Sequence, residues 1–343
     1  MNEVYKSYMM EQLQNLISID SPTGFTGGVQ KYLCEEITRL GYTPECLHKG
    51  GVRADLGGEG NGLMLFAHCD TLGAIVRDIQ GNGRLTVSRI GGLNPNNVET
   101  EHVKVYTRFG EVYEGTFQVP NASSHVNAHV NNARSFEENL EIVLDEFVKS
   151  DEDVRALGID RGDFVAVNPR FTVTSKGYVK SRFLDDKASA AILLTYAKYL
   201  KDEGITPSRK VVISFTMYEE VGHGAACGIP EGICDIMAVD MGCVGEGLGC
   251  TETMVSICAK DSGGPYNYEV VGKLIAAAKK TGADYAVDVY PHYGSDVEAA
   301  LSAGFDIRHG LIGPGVYASH GYERSHMDGV FSTLKLLCGY LDV

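Results

Sequence analysis

The stretch VVISFTMYEEVGHGAA, residues 211–226, most constrains what this chain can fold into. Its first five residues, VVISF, are apolar or β-branched with almost no polar alternation. Such a run predicts a strand covered on both faces, as in a parallel sheet flanked by helices. The strand delivers Glu219 and Glu220 at its C-terminal end, which is where open α/β sheets form their ligand crevice. Two adjacent carboxylates in that position repel each other unless a cation lies beside them.

The same arrangement recurs. The apolar run 62–67, GLMLFA, ends on His68 and Asp70, and 234–239, CDIMAV, ends on Asp240. Asp185 and Asp186 open a segment rich in helix formers, 187–200, as capping residues would. His320 lies in YASHGYER, residues 317–324. Imidazole with carboxylates, and no ordered cysteines, suits zinc, cobalt or manganese. Three carboxylates and a hydroxide would balance two divalent cations.

Around these points the periodicity predicts helices over 4–18 and 29–40, the second stopped by Gly41, and further helices near 270–280 and 296–303. Phe331, Leu334, Cys338 and Leu341 share one face of a closing helix. Between Ile75 and Asn168 the pattern changes to short alternating runs. Residues 103–107 and 112–117 read as a hairpin across Phe109 and Gly110, with strand signals near Ile142 and Val165. The expectation is a discontinuous α/β domain, residues 1–75 and 169–343, with a β-rich insertion over 76–168.

Composition narrows the function classes. The 343 residues suffice for one large domain or two ordinary ones. A net charge of −15 argues against nucleic-acid binding. No apolar run approaches a membrane span, and the N-terminal segment lacks the basic and apolar regions of a signal peptide, so a cytoplasmic protein without a membrane partner is expected. Nine cysteines, an odd number with no CxxC pair, read as reduced thiols.

The ordered series AHCDTLG, FLDDKAS, YEEVGHGA, AVDMG and SHGYE resembles the TET (tetrahedral) and glutamyl or deblocking aminopeptidases, a family of dinuclear-metal enzymes. GDFVAVNPRF before the Asp pair and GSD before the last histidine are similar to the same family, so the resemblance spans nearly the whole chain. It implies a zinc-peptidase-like α/β/α sandwich with a mixed central sheet, plus an inserted barrel-like domain that pairs subunits. It implies two metals per subunit, zinc first and cobalt or manganese as alternatives, with Asp185 bridging. His68 and Asp240 would complete one site, Glu220 and His320 the other. Glu219 would be the general base, and Asp70 would accept a hydrogen bond from His68 and fix its tautomer. A cis peptide between Asp185 and Asp186 is implied too. Peptides would be the substrates, with His223, Gly294 and Tyr322 beside them and the rest of the pocket drawn from 241–265 and 290–325. The assembly implied is a homodimer, six of which close into a tetrahedral dodecamer.

The chain departs from the family pattern in places. One residue, His223, separates Gly222 from Gly224, where two are usual, and HGYE stands where HSPxE is common, which suggests a divergent subgroup. His326 competes with His320 as last ligand; order and the position after GPG favour His320. His125 and His129 have i, i+4 spacing without the glutamate of a HExxH site, Cys69 should face away into the core, and GEGLG at 245–249 reads as a crevice wall. The rivals are an acyl-amino-acid deacylase, a glycan hydrolase and a non-enzymatic scaffold. The deacylases carry their extra domain before the last histidine. Here the long gap of about 115 residues lies between Asp70 and Asp185. A glycosidase works with two carboxylates and no metal. A scaffold would have lost a ligand or the base, and none is missing.

Overall fold

The computed structural model describes residues 3–342. It divides into two compact units, one running to Asp70 and resuming at Arg170, the other Thr71–Pro169.

The first unit is built on a mixed twelve-stranded sheet. Its middle is four parallel strands in the spatial order Val211–Thr216, Gly62–His68, Ile233–Val239 and Arg308–Tyr317. Every residue of Gly62–His68 and of Val211–Thr216 is buried, which is why neither run alternates in polarity. Antiparallel strands flank them, Val52–Gly57 on one side, Glu323–His326 and Tyr178–Ser181 on the other. Helices cover both faces. The helix Leu184–Asp202 packs on Gly62–His68, with Glu3–Ser18 and Met327–Tyr340 against it. On the opposite face Met64, Phe66, Ile236, Ala238 and Leu311 form one apolar cluster with Val297 and Ala300 of the helix Asp296–Ser302.

Register decides where the chemistry falls. Thr216 pairs with His68 and Val239 with Ile312, so the parallel strands finish almost level. His68, the turn after Thr216 and Asp240 therefore leave the sheet at one edge. The strand Arg308–Tyr317 continues to the same edge and turns back through Ala318 and His320, both with left-handed φ, of 59° and 63°.

The second unit is a closed antiparallel barrel of six strands: Gly73–Ile79, Leu85–Ile90, Glu141–Leu144, Val112–Gln118, His102–Tyr106 and Phe164–Val167, in that order around it. Val103, Val105, Phe117, Ile142 and Val165 fill its interior, as the alternation requires. The strands Gly73–Ile79 and Leu85–Ile90 are not among those the sequence reading singled out. The first pairs with Phe164–Val167 and closes the barrel, which brings the start of this unit to Thr71.

Candidate metal centre

The turn after Thr216 is short and bent. Tyr218 and Gly222 take left-handed φ of 71° and 83° on either side of the single turn Glu219–Val221. Gly224 is needed for space. A Cβ there would stand 2.2 Å from Asp296 Oδ1. Asp296 is buried, takes a hydrogen bond from the Thr216 hydroxyl through Oδ2 and one of 2.7 Å from the Ala225 N–H through Oδ1. It thus ties together both ends of the segment bearing Glu219 and Glu220.

Asp185 is presented differently. Its peptide bond to Asp186 is cis, and both residues have non-helical dihedrals at the mouth of the helix Leu184–Asp202. Asp185 is not the cap expected, because its carboxylate oxygens are engaged by His68 and Ser319. Its carboxylate turns outward instead, with Oδ1 3.0 Å from His68 Nε2 and Oδ2 accepting from Ser319 Oγ at 3.0 Å. Glu323, buried behind, receives the backbone N–H groups of Asp185 and His320 at 3.2 Å each. One carboxylate therefore orders two candidate ligands from separate strand ends.

Two groups of potential ligands result, each with its donor atoms within 4.8 Å of one another: His68, Asp185 and Asp240, and Asp185, Glu220 and His320. Asp185 is common to both. His320 Nε2 lies 3.4 Å from Glu220 Oε2 and 3.6 Å from Asp185 Oδ2. Glu219 belongs to neither group, with Oε2 3.7 Å from His68 Nε2. His326 is spent elsewhere: Nδ1 accepts the Asp328 N–H at the start of the last helix, and Nε2 lies 2.6 Å from the Lys176 carbonyl.

The electrostatics ask for cations. Burial, then the charge of Asp185, pushes Asp240 up to about 7. Burial, with Asp240, Asp296 and Glu220 nearby, holds the Glu219 carboxyl well above the carboxylate range, although His68 opposes it. Glu220 is raised for the same reason, burial first and Asp185 second. Burial lowers the proton affinity of His68, but its hydrogen bond to Asp185 and the charges of Glu219 and Asp185 prevail and raise it far above normal. Acids reluctant to ionise and a histidine drawn to charge mark a buried site short of positive charge. The donor set of imidazoles and carboxylates fits two divalent cations, with three protein donors each leaving room for water or substrate.

Asp70 departs from its expected contact. The His68 Nδ1–H meets the Asp70 backbone carbonyl at 2.9 Å, whereas the nearer carboxylate oxygen lies at 3.7 Å. That carboxylate accepts from Thr23 Oγ1 at 2.6 Å and from the Glu219 N–H at 3.2 Å. The His68 tautomer is still set with Nε2 toward Asp185, and Asp70 additionally anchors the backbone of Glu219.

A cavity of about 1100 Å³ opens over the centre, lined by Asp185, Glu219, Glu220, Asp240 and His320 and extending to the helix Asp296–Ser302. His223 and Gly294 line it as well; His223 is exposed and stacks on Tyr218 with 5.1 Å between ring centroids. Tyr322 is not part of the lining. Its hydroxyl donates to the Arg170 carbonyl at 2.9 Å and its ring lies under the Arg170 guanidinium. The 245–249 segment stays off the cavity too, with the Gly249 N–H bound to Asp288. Cys69 is fully buried, and His125 and His129 are exposed and join no ligand group among the described residues. The roles of Asp296, Ser319 and Glu323 escaped the sequence reading. Only the motifs GSD and SHGYE hinted at them.

Residues 50–336 match the family model described as M42 glutamyl aminopeptidase. YhfE of Bacillus subtilis (strain 168) is 42% identical over 334 residues, 97% of this chain and 96% of that one. The glutamyl aminopeptidase of Lactococcus lactis subsp. cremoris (strain MG1363) is 23% identical over 222 residues, 62% of this chain and 60% of its own. Among solved structures, the TET1 peptidase of Pyrococcus horikoshii, described as assembling into a tetrahedron or a large octahedral shell, superposes with a TM-score of 0.86 at 22% identity, over 97% of this chain and 99% of that chain.

Proposed function

Because the chain belongs to the M42 glutamyl aminopeptidase family of exopeptidases, we propose that it removes N-terminal residues from peptides at the centre formed by His68, Asp185, Glu220, Asp240 and His320. The observation that carries this reading is the pair of ligand groups sharing Asp185, with one further carboxylate, Glu219, outside both. Two divalent cations held there, zinc with cobalt or manganese as alternatives, would supply Lewis acidity to the carbonyl and acidify the attacking water.

The protein's own part is proton handling and orientation. Glu219 takes the proton of the water and returns it to the leaving amine, a task suited to a carboxyl whose proton affinity is raised by burial. Asp70 holds the backbone of Glu219, and Asp296 ties the turn on both sides of it. Glu323 fixes the backbone at Asp185 and His320, so the bridging and terminal ligands keep their separation. The free α-amine of the substrate binds within this acidic enclosure, which favours exopeptidase over endopeptidase action.

We also propose that the chain works as a homo-oligomer built from dimers, with a tetrahedral dodecamer as the assembled form, and in the cytoplasm. Support comes from the solvent-exposed Phe109, Val126 and Phe147 on the inserted unit, which a partner copy would cover. Among the described residues no helix is long and apolar enough to cross a membrane, and all nine cysteines are free. The test of the activity is a panel of aminoacyl chromogenic substrates, run on metal-free protein and on protein reloaded with zinc, cobalt or manganese. Hydrolysis restored by metal is expected. Hydrolysis that persists without metal would overturn the reading, and light scattering that finds a monomer at micromolar concentration would overturn the assembly.

A further inference from the structure

The cavity over the metal centre is larger than a reacting peptide bond requires, and on the aminopeptidase reading the surplus has room for the side chain of the substrate's first residue. Near the ligands its wall is Met241, Cys243 and Tyr293, apolar or polarised inward, since the Tyr293 hydroxyl donates to the Met241 carbonyl at 3.0 Å. Farther out the lining is small, with Ala299, Ser302 and Ala303 leaving space for a long side chain. Among the described residues no lysine or arginine lines it.

One carboxylate of this lining stands apart from the metal centre. Glu298 sits in the first turn of the helix Asp296–Ser302, half-buried. Its Oε2 accepts the Ser295 N–H at 2.6 Å and the Ser295 hydroxyl at 3.1 Å, and its Oε1 lies 3.3 Å from the Tyr266 hydroxyl. None of these partners is a cation. Behind it Asp261 is fully buried and takes the Tyr266 hydroxyl at 2.6 Å, so a second acid backs the first. A substrate carboxylate reaching the Glu298 end of this recess would meet the paired acids Glu298 and Asp261, with only the imidazoles of His223 and His292 in the lining outside the candidate ligands to answer it.

Building on the aminopeptidase reading, we infer that Glu298 is a specificity determinant that excludes acidic N-terminal residues and admits neutral or basic ones, leucine and lysine being the model cases. An ion pair to a lysine ammonium, or repulsion of a glutamate, across a partly hydrated gap of a few ångströms shifts relative rates by about ten-fold or more. Burial and Asp261 push the Glu298 carboxyl up to about 7, so the comparison is made above that value, at pH 8.

The experiment compares leucyl, lysyl and glutamyl p-nitroanilides at pH 8 with metal-loaded protein. Leucyl and lysyl substrates are expected to exceed the glutamyl one in kcat/KM by about ten-fold or more. Glu298→Gln, which keeps an acceptor for Ser295 and so the helix cap, should lower the lysyl-to-leucyl ratio and raise the glutamyl-to-leucyl ratio. Ser302→Lys, at an exposed lining position outside the cap, should raise the glutamyl ratio independently. A wild-type preference for the glutamyl substrate, or ratios unmoved in both variants, would overturn the inference. Failure of all three substrates with metal-loaded protein would instead refute the aminopeptidase reading beneath it.

Discussion

The clamp between Gly224 and Asp296 can be tested by a double-mutant cycle. Gly224 has an ordinary backbone conformation, so Gly224→Ala meets no dihedral penalty and its effect is steric. The new methyl would lie 2.2 Å from Asp296 Oδ1, about 1 Å inside normal contact. The carboxylate cannot swing away cheaply, because Thr216 and the Ala225 N–H hold it. Overpacking of this kind costs about 1–3 kcal/mol. Asp296→Ala loses two hydrogen bonds in a buried setting, at about 1.5–3 kcal/mol apiece if the acceptor is charged. It also vacates the space the methyl needs. The double variant should therefore be more stable than the sum of the singles predicts, by about 1 kcal/mol or more. Urea unfolding of the four proteins gives the coupling. Since the clamp carries Glu219, each single variant should also lose about a hundred-fold in kcat with metal content retained, the scale expected for a displacement near 1 Å. Strict additivity in stability, with kcat unchanged, would refute the clamp.

Other outcomes follow from charge and burial. Asp235 is buried and binds both Arg308, at 2.6 and 3.1 Å, and Arg209, at 2.6 Å, so Asp235→Ala should cost about 2 kcal/mol in urea unfolding once the partial exposure of both arginines is discounted. In thiol labelling of the folded protein Cys46 and Cys227, both exposed, should react first. Cys69, Cys250 and Cys338, buried and with thiols pushed up to about 12, should react only on unfolding, which mass spectrometry of timed samples reads directly.

Much of the site was legible because parallel strands leave a double signature in sequence, an unbroken apolar run and a functional residue at its end. His68, Glu219, Glu220 and Asp240 were found that way, and register then brought them to one edge. What stayed hidden depends on which backbone a side chain meets. Nothing in a sequence says that Glu323 takes the N–H of a residue far upstream, or that the Asp70 carboxylate binds Glu219 while its carbonyl serves His68. The partner of Tyr322 was hidden in the same way: beyond the left-handed turn at His320 its ring meets Arg170, a residue far upstream. The barrel strand Gly73–Ile79 begins only a few residues after Asp70, too close for a change of pattern to mark the boundary.

The proposed division of labour rests on Asp185, common to both candidate ligand groups, and on Glu219, which belongs to neither. Metal content per chain, measured together with turnover of leucyl p-nitroanilide on Glu219→Gln and Asp185→Ala proteins, tests it most directly. The account predicts that Glu219→Gln keeps both ions while turnover falls to background, and that Asp185→Ala loses metal. A Glu219→Gln protein that turns over normally, or that sheds its metal as Asp185→Ala does, would contradict it.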